Sequence, residues 1–272
     1  MRYKLIVGLL LLSACLVLRA GPAKAAECAD CHAVTEDKFR KNVHGAQGIS
    51  CVSCHGQAAG HREDPDVKDY LNCKDKANFE TINAACMKCH AKNRKMTYWE
   101  GSEHQSSDVS CTSCHKVHTV GTKSVSSESC MSCHADVRRD ANKFSHHPIK
   151  EGRMQCSACH NVHGSSAPNL LSKSTTNELC ISCHTEKRGP FRFAHAPVEE
   201  NCLTCHKPHG STSPRLMAQN LRSTCTNCHV FARKNNLRPD EIGSRQPPMG
   251  VRGSGLNCHG DIHGSNTDYH FR

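Results

Sequence analysis

A mostly coiled chain with short α-helices and almost no sheet is the fold class this sequence predicts. Three observations carry the expectation. Only 45 of the 272 residues are Leu, Ile, Val or Phe, too few to form a side-chain core at this length. Cysteine and histidine are present 21 times each, far above ordinary usage. Between the cysteine clusters lie Gly, Pro, Ser and charged residues with no sustained helix or strand period. Such a chain is either disordered or built around something other than its own side chains.

The N-terminus is expected to stand apart from the fold. Arg2 and Lys4 precede an apolar run from Leu5 to Leu18, and Ala23-Lys24-Ala25 supplies a small-x-small cleavage site. Residues 1–25 therefore read as a signal peptide and 26–272 as the mature chain. Leu12-Ser13-Ala14-Cys15 also resembles a lipoprotein processing box, although Leu16-Val17-Leu18 continues the run past the cysteine. No later segment has the length and apolarity of a membrane span. The chain is therefore expected to be exported, with no transmembrane segment of its own.

Export would favour disulfides, but the spacing argues otherwise. Nine Cys-x-x-Cys-His motifs run along the chain: Cys28, Cys31 and His32; Cys51, Cys54 and His55; Cys86, Cys89 and His90; Cys111, Cys114 and His115; Cys130, Cys133 and His134; Cys156, Cys159 and His160; Cys180, Cys183 and His184; Cys202, Cys205 and His206; Cys225, Cys228 and His229. One helical turn puts positions i, i+3 and i+4 on one face, presenting two thiols for the vinyl groups of a haem and an imidazole for its iron. Zinc knuckles do not require His after every second Cys. These cysteines are thus expected to hold haem c covalently, with the nine histidines as proximal ligands. A tenth site, Gly255-Leu256-Asn257-Cys258-His259, keeps one thiol and the histidine. Nine haems with two thioethers are the expected cofactor set, joined by a tenth with one through Cys258 and with His259 proximal, the alternative being a vestigial last site with a free thiol.

Eleven histidines remain as distal candidates: His44, His61, His104, His118, His146, His147, His163, His195, His209, His263 and His270. Ten sites need ten, and the adjacent pair His146-His147 accounts for the spare. Bis-histidine, low-potential iron throughout is expected, since methionines are few and scattered. Positions of these histidines reveal five haem-pair repeats at about 28–61, 86–118, 130–163, 180–209 and 225–270. In the first, second and fourth, a free His precedes the second motif by seven residues. Phe231–Gly253, rich in Pro and Arg, is expected to be an ordered loop.

With a haem for about every 25 residues, the porphyrins become the apolar core, giving an elongated multihaem cytochrome built around a haem chain. Charge follows suit. Leader removal takes the formal +10 to +6, and two propionates per haem then turn the holoprotein acidic. No nucleic-acid partner is expected despite the basic apoprotein. Cys73 lies outside every motif; Tyr70 holds the position a Cys-x-x-Cys-Lys site would need, so a buried or free thiol is expected there.

Glu186-Lys187-Arg188-Gly189-Pro190-Phe191, His195-Ala196-Pro197-Val198 and Asn201 through Ser211 resemble the decahaem cytochromes typified by MtrA and DmsE. Cys156–Gly164 and Ile262-His263-Gly264-Ser265-Asn266 are similar to the same pattern, and the resemblance spans about residues 27 to 266. Gly255 departs from it, replacing the first Cys of the last haem. The resemblance implies an electron conduit seated in an outer-membrane β-barrel porin, linking periplasmic electron carriers to an extracellular acceptor or donor such as another multihaem cytochrome. Two alternatives stay open: a soluble periplasmic carrier feeding a terminal reductase, and a multihaem reductase of nitrite or hydroxylamine with one open haem. The surplus of histidines argues against the enzyme, because a filled axial face binds no substrate.

Overall fold

A computed structural model describes residues 23–120, 125–229 and 259–271. The leader up to residue 22, the loop from Phe231 to Gly253 and Cys258 lie outside the described residues. Those described are mostly coil: helices of 4 to 18 residues, 3₁₀ turns and isolated β-bridges, with no sheet among them. None of these helices is long and apolar enough to cross a membrane.

The chain divides into two compact units, residues 1–72 with 117–121, and 73–116 with 122–272. In the first, Ala23–Arg40 is a helix interrupted at His32, whose backbone leaves the helical region. Arg40 and Lys41 pair with Glu36 and Asp37 one turn back. Asn42 then caps Val43–Ala46, accepting from the N–H groups of His44 and Gly45, while its amide donates to the carbonyl of Val117. It is the one fully buried side chain among the described residues of this unit. The second motif is itself a helix, Cys51–His55.

The second unit repeats one theme. A short helix delivers the first cysteine of an odd-numbered motif: Phe79–His90, Ser127–Met131, Thr176–Ile181 and Leu221–Thr226. An even-numbered motif then forms a single short turn, α at Cys111–Cys114 and 3₁₀ at Cys156–Ala158 and Cys202–Thr204. Ser126, Thr175 and Asn220 precede their helices in extended conformation, and the side chains of Thr175 and Asn220 accept from Glu178 N–H and Ser223 N–H, satisfying a donor the helix start leaves over. Asn83 and Asn177, three residues ahead of Cys86 and Cys180, clamp the partner motif by accepting its first N–H, Cys111 at 2.8 Å and Cys202 at 2.8 Å.

Among the described residues buried apolar side chains are few: Ile82, Trp99, Met131, Ala141, Ala167, Leu170 and Met217, all in the second unit. At about 25 cal/mol per Å² of apolar surface, that set cannot offset the ordering of such a chain. The composition argument therefore holds in three dimensions. What is ordered here is a set of turns that present cysteine and histidine.

Candidate haem-binding sites

Six of the motifs close as a single α-turn whatever the helix around them. The histidine N–H donates to the carbonyl of the first cysteine at His115, His134, His160, His184, His206 and His229, at 2.9–3.1 Å. That bond fixes both thiols and the imidazole on one side of the turn. Within the second, third and fourth repeats the first cysteines of the two motifs face each other: Cys86 with Cys111, Cys130 with Cys156, Cys180 with Cys202. Burial and the neighbouring thiol push Cys130 and Cys180 up to about 11. Second cysteines interact across the junction to the next repeat, Cys114 with Cys133 and Cys159 with Cys183.

The histidines settle into pairs. Ring centroids lie 6.3 Å apart for His32 and His61 and 5.9 Å for His55 and His118, in the first unit. In the second, the separations are 6.1 Å for His104–His134, 5.9 Å for His115–His163, 6.3 Å for His147–His184, 6.1 Å for His160–His209, 6.2 Å for His195–His229 and 6.2 Å for His206–His263. Two imidazoles sharing one metal, each bonded at about 2.0 Å, place their centroids roughly 6 Å apart. Eight pairs within 0.4 Å of one another, each joining a motif histidine to a free one, fit haem iron with both axial positions filled.

The pairing has a register that counting alone does not give. Even-numbered motifs take their partner from the following repeat: His55 from His118, His115 from His163, His160 from His209, His206 from His263. The fifth, seventh and ninth motifs reach back instead: His134 to His104, His184 to His147, His229 to His195. The first motif stays within its own repeat through His61.

Rings are aimed by backbone carbonyls. The Nδ1 atoms of His55, His160 and His206 lie 2.9, 2.8 and 3.0 Å from the carbonyls of Leu71, Asn169 and Arg215. Among the free histidines, His61, His104, His147 and His195 use Val67, Val162, Pro208 and Ile262 at 2.7–3.1 Å. A carbonyl on Nδ1 assigns the proton there and leaves Nε2 as a bare donor for metal. Burial lowers the pKa of His115, His163, His209 and His263, favouring the same neutral form. Asn169-Leu170 and Arg215-Leu216 adopt left-handed φ of 55–58° after Pro168 and Pro214. Each such residue costs on the order of 1 kcal/mol, and that strained turn is what brings the carbonyl to His160 and His206.

Other predicted residues are placed elsewhere. His146 has Nδ1 2.6 Å from the Lys143 carbonyl and Nε2 3.0 Å from Glu151, whose hydrogen bond raises its pKa. His270 turns its ring to Tyr269 and Asp268, while its carbonyl lies 2.6 Å from Nδ1 of His259. His44 sits beneath its Asn42 cap and His90 ends the helix Phe79–His90. Cys73 is half-buried, and its carbonyl accepts from Thr112. Counting histidines missed the orienting carbonyls, Asn83, Asn177 and the Pro-x-Leu turns; recurrence of Ser-x-x-Pro-x-Leu after the sixth and eighth motifs was the available signal.

Known proteins share this pattern. Residues 146–189 and 195–234 match the doubled CXXCH motif family, residues 51–128 the NrfB-like cytochrome c-type proteins, and residues 16–56 the cytochrome c554 and c-prime family. Over 266 residues the chain is 40% identical to the multiheme cytochrome MtrA of Shewanella baltica, covering 90% of this chain and 79% of the relative. The chain belongs to the MtrA family of multihaem cytochromes. As a member of that family it is a c-type cytochrome that binds haem, and its activity is electron transfer rather than enzymatic turnover. A solved undecaheme cytochrome from the S-layer of Carboxydothermus ferrireducens is also similar, at 18% identity and a TM-score of 0.18, over 71% of this chain and 40% of that one.

Proposed function

We propose that this MtrA-family cytochrome conducts electrons along a chain of ten haems, seated within an outer-membrane β-barrel porin, between periplasmic carriers and an extracellular acceptor or donor. The observation that carries the wire is the set of eight imidazole pairs at 5.9–6.3 Å. Bound haem supplies reversible one-electron chemistry at its iron. The protein contributes thioether anchors from its paired cysteines and proximal ligation by the motif histidines. His61, His118, His104, His163, His147, His209, His195 and His263 take the distal positions. A carbonyl on Nδ1, as at His55, His61, His104, His147, His160, His195 and His206, makes the imidazole a stronger electron donor, which would hold potentials low. With both axial faces occupied by the chain, substrates have no access to those irons.

His259 supports the tenth site. Its Nδ1 is held by the His270 carbonyl as His160 and His206 are held by theirs, an orientation of no use to a discarded ligand. A single thioether from Cys258 then suffices for attachment. The porin reading rests on membership of the family.

Electron paramagnetic resonance of the oxidised holoprotein tests the ligation: low-spin signals should dominate, and more than two high-spin haems would overturn it. Liposomes carrying the cytochrome with its barrel partner should reduce an entrapped dye from external dithionite. A barrel that conducts equally well without the cytochrome would sink the conduit reading.

A further inference from the structure

We propose that each His-Gly-Ser segment, 162–165, 208–211 and 262–265, couples two haems: its histidine ligates one iron while the carbonyl before that histidine fixes the axial ligand of the next. The proposal rests on the ligand assignments above. In the first segment, the Val162 carbonyl lies 2.9 Å from His104 Nδ1, His104 pairs with His134, and His163 pairs with His115. The second repeats this with Pro208 on His147 at 2.7 Å, His147 facing His184 and His209 facing His160. In the third, Ile262 meets His195 at 3.0 Å, with His195 facing His229 and His263 facing His206. In every case the two motifs served are consecutive, the last of one repeat and the first of the next.

The segments are seated too tightly to yield. A Cβ on Gly164 would stand 1.8 Å from the Tyr98 carbonyl oxygen, on Gly210 1.8 Å from that of Asp140, and on Gly264 2.2 Å from the Phe191 ring. The serine that follows is locked as well. Ser165 and Ser211 donate to the carbonyls of Leu171 and Met217, and Ser211 and Ser265 are buried. Paired backbone bonds join Ser211 to Ser145 at 2.7 and 3.0 Å and Ser265 to Phe193 at 2.8 and 2.9 Å. Ser145 and Phe193 each stand two residues before a distal histidine, His147 and His195. Ligand and acceptor therefore move together, since one rigid backbone segment carries both.

Displacing a segment should change two sites and spare the rest. Gly210→Ala in the holoprotein is the first test, read as low-spin signals of the fully oxidised protein, with haem content checked by mass. Those signals report the angle between axial ring planes, 33° for His160–His209 and 51° for His147–His184. Two components should shift. His209→Met is the second variant; it keeps that iron six-coordinate, and a second component, still bis-imidazole, should shift beside it. Full oxidation leaves every iron equally charged, so through-space electrostatics is silent in this comparison. A shift confined to one component overturns the coupling, as does one spread over more than two. If His209→Met moves no component at all, the ligand assignment itself fails.

Discussion

His146 and His147 are adjacent in sequence, and the structure gives them opposite duties. The ring of His147 faces that of His184 at 6.3 Å. Subtracting the reach from each centroid to its nitrogen leaves a gap of about 4 Å, the span of one iron with two bonds of about 2.0 Å. Its other nitrogen is 2.7 Å from the Pro208 carbonyl. His147→Ala should therefore turn one iron, about a tenth of the total, from low to high spin. It should also orphan a half-buried carbonyl at a cost of about 1–2 kcal/mol. Both ring nitrogens of His146 are already engaged, by the Lys143 carbonyl and the Glu151 carboxylate, so His146→Ala should leave every spin state unchanged. Integrated spin-state signals of the two oxidised holoproteins, normalised to haem by pyridine haemochrome, make the comparison. A high-spin haem in His146→Ala, with none in His147→Ala, would refute the pairing and with it the register built on ring separations.

Three further outcomes are expected. Expressed without cytochrome c maturation, the chain should be expanded and protease-sensitive, because its buried apolar side chains cannot offset chain entropy; a compact apoprotein by hydrodynamic radius would contradict this. Intact mass under denaturing conditions should give ten haems, and Cys258→Ala nine, whereas nine in both would mark the last site as vestigial. Ile82→Ala, at the most buried large apolar side chain, should cost about 2–4 kcal/mol in the holoprotein, measured by denaturant midpoint; a loss under 1 kcal/mol would mean that haem contacts alone fix that helix.

The Cys-x-x-Cys-His turns were legible because haem attachment demands a fixed local spacing. The free histidines of the ring pairs were legible as a number and not as partners. His55 and His118 belong to different repeats, and nothing local to either names the other. The carbonyls of Val162, Pro208 and Ile262 were invisible for a different reason: a backbone acceptor is offered by any residue, so only geometry selects it. Glycine gave the nearest hint, since Gly164 and Gly210 follow their histidines where another backbone passes too close for a side chain. The coil-rich fold was legible from what the sequence lacks, and the few buried apolar residues show why.

On the proposed ligation, the alternating reach of the histidines also sets a timetable. A chain delivered N-terminus first presents His104 before His134, His147 before His184 and His195 before His229, so those irons find a second histidine already waiting. His55, His115, His160 and His206 must wait for a partner from the repeat still to come. Every second site is thus left ajar during biogenesis and shut by the arrival of its successor. A chain halted between repeats ends in a half-finished, reactive iron, while a completed one has closed its sites in turn like the teeth of a zip.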